Sequence, residues 1–185
     1  MSFQDKIALL QQQYYQENNK HVIFKSKQKT ECATVVCKSF NNEKLFANTI
    51  YIIPNTNKIY FDYILFKTYA NPELFTAFTD YIFKLIHICV AQFKSYSLHV
   101  NWNTYSISAH ERYKGLYILF LDKSQNGTFN YREYLTNIYV YYTPHVIQAI
   151  SGLMRPIINP LILDKVILIN KTDSKEQLDK LLQQK

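Results

Sequence analysis

An α/β fold, with a mixed, partly parallel sheet flanked by helices, follows from three features of the sequence. From Ile59 onward, short β-favouring runs alternate with helical stretches, the pattern of a sheet with a substantial parallel or mixed part. Tyr131 to Asn170 reads without a break as strand, helix, tight turn and strand, a β-α-β unit that in one sheet crosses over right-handed. In Ile59 to Phe66 both alternating sets of side chains are mostly apolar, broken only by Asp62, as in a strand covered on both faces.

Each element has a local reason. Ser2 to about Asn18 is a helix: Ser2 can cap it, Asp5 sits in the first turn, and Phe3, Ile7, Leu10 and Tyr14 recur at helical spacing. Lys20, Lys25, Lys27 and Lys29 surround the apolar run His21-Val22-Ile23-Phe24, which reads as a hairpin edge guarded by lysines or as a membrane-facing basic strip. Ala33 to Cys37 and Asn48 to Ile53 look extended, and Asn55-Thr56-Asn57 after Pro54 suits a hairpin loop. Asn71-Pro72-Glu73 combines a cap, a proline at the first helical position and an acid in the first turn, so a helix runs from there to about Gln92. Tyr96 to Trp102 is a strand, Ser106 to about Lys123 a helix, and Gln125 to Thr128 a break. Thr136 to Tyr142 is a strand stopped by Pro144. From Val146 to Ile158 apolar residues recur at three- and four-residue steps, a broad greasy helix that Pro156 should bend or end. Asn159-Pro160 turns the chain into a strand over Lys165 to Ile169, and Ser174 to Gln184 is a charged terminal helix.

The 185 residues suffice for one domain with a real core. Three cysteines without a CxxC or Cys/His ligand pattern fit a reducing compartment. The first residues lack the layout of a signal peptide, and the greasiest segment, YIFKLIHICVAQF, is short and interrupted by Lys84 and His87. A cytoplasmic protein with peripheral membrane association is therefore expected. A net charge of +7 favours anionic partners. The basic residues are not interleaved with aromatics beyond Trp102, Tyr105 and Lys114, so no nucleic acid is expected among them. Ser108-Ala109-His110-Glu111-Arg112 is not HExxH, no glycine loop or nucleophile elbow is present, and His87 and Cys89 face different ways. No catalytic residue, metal ligand or cofactor is assigned.

Tyr131-Arg132-Glu133, the Ile138-Tyr139-Val140 strand, Arg155-Pro156, Asn159-Pro160 and Lys165 opening an aliphatic strand stand in an order and spacing that resemble the second half of a CRAL-TRIO domain. That family includes phosphatidylinositol and phosphatidylcholine transfer proteins and carriers of tocopherol and retinaldehyde. The resemblance implies non-catalytic binding, or transfer, of a lipid or other hydrophobic ligand in an internal cavity at an anionic membrane surface. Carried over by position, Ser106, Ser108, Glu133 and Lys165 correspond to headgroup contacts of the phosphoinositide-transfer branch. Val146, Ile147, Ile150, Leu153, Met154 and Ile157 lie on the helix that gates the cavity, with Gly152 as a point of flexure. Asn101 and Thr104 replace an acid and a glycine of the family pattern, and the helical N-terminal subdomain is expected to be absent or reduced to one helix. The shortened form resembles compact branches such as the BCH domains, which implies an alternative: a protein-interaction scaffold binding small GTPases or their regulators.

Overall fold

The computed structural model describes residues 2–19, 23–127, 129–143, 145, 147–154 and 159–183, excluding the side chains of 149, 150 and 154. Helix α1 (Phe3–Glu17) opens as expected: the Ser2 hydroxyl accepts from Asp5 N, and the Asp5 carboxylate accepts from Ser2 N. Two further helices, α2 (Lys25–Lys38) and α3 (Asn42–Thr49), precede the sheet. They correct three expectations. Ala33 to Cys37 is helical, because Gln28, Cys32, Ala33 and Val36 form one buried stripe of helical period, and burial outweighs weak β-propensity. The lysine-flanked run is not a hairpin edge in its described part, since Ile23 and Phe24 lead directly into α2. Among the described residues, the region before the sheet holds three helices rather than one.

Strands β1 (Ile50–Ile52) and β2 (Lys58–Asp62) form an antiparallel hairpin. Asn48 and Thr49 belong to α3, and β2 stops four residues before Phe66 because the Asp62 carboxylate accepts from Ile64 N and starts α4 (Tyr63–Phe66). Asn71 caps a 3-10 turn (Pro72–Leu74) that continues into α5 (Phe75–Phe93). After β3 (Tyr96–Asn101), Ser106 caps α6 (Ile107–Asn126). The one-turn helix α7 (Tyr131–Tyr134) feeds β4 (Leu135–Tyr141), followed by α8 (Ile147–Met154), α9 (Pro160–Leu163), β5 (Val166–Leu168) and α10 (Lys171–Leu182). Pro156 lies outside the described residues.

The sheet order is β1-β2-β3-β4-β5, with every pair after the first parallel. Sequential parallel strands joined by right-handed crossovers carry their helices on one face. Accordingly α5 contacts β1, β2 and β3, and α6 packs on α5 and α8. Ile59, Leu98 and Ile138 stand in register toward that face and join a core that includes Phe66, Phe78, Tyr69 and Tyr113. Ile7, Val36 and Leu45 of the first three helices belong to the same core. The stretch Pro72–Phe93 is, at 22 residues, long and apolar enough to cross a membrane, contrary to the sequence reading of its length. Half of it is buried against the rest of the fold, and this packing marks α5 as a core helix.

Tyr60, His99 and Tyr139 stand in register toward the opposite face, where Leu178 and Leu181 of α10 pack with Ile53, Tyr60, Tyr141 and Ile169. His99 is 5% exposed; its Nε2 lies 3.1 Å from Ser97 Oγ and its Nδ1 2.9 Å from the Tyr141 hydroxyl. A neutral ring satisfies both contacts, donating through one nitrogen and accepting through the other. Burial, with Lys58 adding repulsion, lowers its pKa from 6.5 to about 4. The unfolded chain therefore takes up this proton first as pH falls below 6.5. Stability contributed by neutral His99 is full above that pH, declines by about 1–2 kcal/mol by pH 5, and is lost through pH 4. Urea denaturation at pH 7 and pH 5 checks this against His99→Gln, which should show a smaller decline; identical declines would rule His99 out as the source.

Candidate functional site

In open sheets with parallel strands, ligands gather beyond the carboxyl ends of the strands. At that end of β2 and β3 a depression of about 240 Å³ is lined by residues of α1, α2, α4 and α6 and of the loops beside them. Among the described residues its charged ones are Lys29, Lys67 and Arg112, and none of those lining it is a carboxylate. Lys67 follows α4, and its ammonium donates to Thr104 Oγ1 at 2.7 Å and lies 5.8 Å from the Tyr63 ring centroid. Thr104 holds a φ of 66°, a left-handed conformation costing a β-branched residue about 1–2 kcal/mol. The backbone there suits glycine, and the threonine hydroxyl reaches Lys67.

Burial lowers the pKa of Lys67, Lys29 and Arg112 press the same way, and Asp62 opposes them. Arg112 Nε is buried without a hydrogen-bond partner of good geometry among the described residues. Its guanidinium lies 5.4 Å from the Tyr113 ring centroid and partly offsets the rise that burial imposes on the Tyr113 phenol. Burial likewise raises Tyr15, against which Arg112 acts from across the depression. Three cations from three separate elements thus crowd a site that already includes the first turn of α6. An anion entering it would relieve their repulsion and accept charge-assisted hydrogen bonds. The volume suits a phosphate or small headgroup and is below the roughly 300–1,000 Å³ of sites that enclose larger ligands.

The residues singled out from sequence are divided between the two ends of the sheet. Ser106 lines the depression, where its hydroxyl accepts from Ala109 N at 3.2 Å as the α6 cap; Ser108 is exposed on the first turn of that helix. Lys165 lies at the opposite, amino end of the parallel strands. Its ammonium donates to the carbonyls of Arg132 at 3.0 Å and Leu135 at 2.6 Å, tying β5 to the end of α7. Glu133 is exposed on α7 and accepts from Asn130 Nδ2 at 2.6 Å. Lys165 and Glu133 therefore lie near one end of the sheet, and Ser106 and Ser108 near the other. Sequence reasoning missed Lys29, Lys67 and Arg112, since no local spacing relates them.

Of the gate residues, Ile147 is half-buried and Leu153 is 43% exposed on α8. Val146 and Ile157 lie outside the described residues, as do the side chains of Ile150 and Met154. A Cβ at Gly152 would meet nothing within 4 Å, so packing does not require glycine there. Glycine costs the helix interior about 0.5–1 kcal/mol relative to alanine, which leaves this eight-residue helix less stable by itself. Rings pack the interior: Phe78 of α5 lies against Phe46, Phe66 and Phe61 of β2, and Phe83 of α5 stacks on Phe120 of α6 at 5.0 Å.

The chain matches the family model of the CRAL/TRIO domain over residues 59–185, well over half its length. It belongs to the CRAL-TRIO family. The mixed five-stranded sheet with its helices agrees with that membership, and CRAL-TRIO domains in general bind lipids and other lipophilic ligands. The match starts in β2, so α1, α2, α3 and Lys29 lie outside it, whereas Lys67, Ser106 and Arg112 lie within. A comparison with curated proteins gave no match.

Proposed function

We propose that this CRAL-TRIO chain binds a phosphate-bearing lipid without catalysing a reaction on it, and exchanges that lipid at anionic membranes. The headgroup phosphate sits among Lys29, Lys67, Arg112 and the Ser106 end of α6. The observation that carries this reading is the convergence of three cations, with no lining carboxylate, at the carboxyl end of the parallel strands. Acyl chains enter beneath α8, which moves outward to admit them, because the space between the sheet and α5 is already filled. Each methylene buried there contributes about 0.8 kcal/mol, enough over a chain to offset displacement of a short helix. Lys165 retains one donor beyond its two carbonyl contacts and can serve a headgroup only through it, with Glu133 nearby.

The filled core also favours a second reading, a BCH-like scaffold whose partner is a small GTPase or its regulator. Native mass spectrometry of the purified protein, followed by solvent extraction, separates the two. One phospholipid released per chain supports the lipid reading. A neutral hydrophobe alone would retain the cavity and remove the phosphate part. An unliganded mass that persists after incubation with mixed phospholipid vesicles would overturn the lipid reading and leave the scaffold.

A further inference from the structure

The passage from α1 to α2 ends in two adjacent large apolar side chains held out from the fold: Ile23 is 84% exposed and Phe24 63% exposed. Single exposed hydrophobic residues are ordinary, but an adjacent pair at a helix start is a concentrated apolar tip. The tip is anchored from behind. Gln28, only 3% exposed, donates through Nε2 to the Asn19 carbonyl at 2.8 Å, and its own N–H bonds the Phe24 carbonyl at 3.1 Å.

The start of α2 departs from what helix stability favours. Phe24 occupies the cap position with no side-chain cap, the first turn has no acid, and Lys25 and Lys27 lie in that first turn at the positive end of the helix dipole. Cations there are unfavourable, because the unpaired N–H groups of the first turn already carry positive partial charge. The carboxylates nearest in sequence are Glu17, exposed at the end of α1, and Glu31, which accepts from the Tyr14 hydroxyl at 3.1 Å. A tip that joins exposed apolar side chains to a cluster of lysines complements the boundary of an anionic bilayer, where phosphates meet the lysines and acyl chains meet the apolar side chains.

We infer that the Ile23-Phe24 tip, with Lys25 and Lys27, is a membrane-docking element that inserts into the headgroup region of anionic bilayers. Lys25, Lys29 and Cys32 follow one another at helical spacing along α2, and Lys29 and Cys32 line the basic depression. Docking would therefore bring the mouth of that depression toward the membrane. This last connection rests on the lipid-binding reading; the docking itself does not.

The test is sedimentation with phosphatidylcholine vesicles, with and without phosphatidylserine, for wild type and the double variant Ile23→Ser, Phe24→Ser. Wild type is expected to bind the phosphatidylserine vesicles, and the double variant to bind at least about tenfold more weakly, with thermal stability no lower than wild type, because serine at position 24 can cap α2, and unchanged extracted lipid. In Phe24→Trp, fluorescence on those vesicles should gain a blue-shifted component absent from wild type, whose one tryptophan is Trp102. Equal binding by the double variant, no emission shift, or no vesicle binding by wild type would each overturn the proposal. Loss of docking with phospholipid still extracted would leave the lipid-binding reading intact; docking through the tip by a lipid-free protein would do the reverse.

Discussion

Lys67→Glu combined with Arg112→Glu is expected to weaken binding of a phosphate-bearing lipid at least about a hundredfold, since each cation can give a charged hydrogen bond of about 1.5–3 kcal/mol. The reversed charges also repel the ligand from a site whose cations otherwise have no lining carboxylate. Lys67→Ala alone should cost about tenfold, and Lys67→Arg should retain most of the affinity. A structural role for these cations would give a different pattern. Lys67 is already disfavoured by burial and by Lys29 and Arg112, so its removal loses the Thr104 contact while relieving repulsion. Thermal stability of Lys67→Ala should therefore stay close to wild type while binding falls. The measurement is lipid transfer from fluorescent donor vesicles, paired with thermal unfolding. Unchanged affinity in the double charge reversal would remove the phosphate from this site, whatever the stability.

What the sequence disclosed and what it concealed follow from how far apart the determining residues lie. Ser2 and Asn71 were legible as caps because a cap and its N–H partner are two or three residues apart. The strand pattern around Ile59 was legible because alternation is local, yet its end was not, since Asp62 accepts from Ile64 N and turns the chain into α4. Ala33 to Cys37 misled because β-branched residues read as strand until the buried stripe from Gln28 to Val36 is seen as a helix face. The resemblance brought Lys165 forward as a headgroup contact, but only the structure reveals the two carbonyls that take its donors. Lys29, Lys67 and Arg112 meet through three elements that the sequence cannot bring together, and Thr104 looked like a departure until its φ of 66° explained why that position favours glycine.

Phe78→Ala is expected to destabilise the protein by about 3–5 kcal/mol, the range for deleting a buried aromatic ring. Phe78 is 1% exposed, with ring centroids of Phe66 at 4.9 Å, Phe46 at 5.1 Å and Phe61 at 6.1 Å. These neighbours come from α3, α4 and β2, so collapse into the vacated volume would require several elements to shift together. A domain of this size loses roughly 2–4 °C per kcal/mol, which places the drop in melting temperature at about 10 °C. Urea denaturation measures the cost directly, with Phe78→Leu as the milder comparison that retains most of the volume. The size of the loss bears on function as well as on stability. A cost in the expected range means that the interface between the sheet and α5 is solid, so acyl chains must enter where the short helix α8 can yield. A cost below about 1 kcal/mol would mean that the interior rearranges easily, and the lipid chain could then lie under α5 without displacing α8.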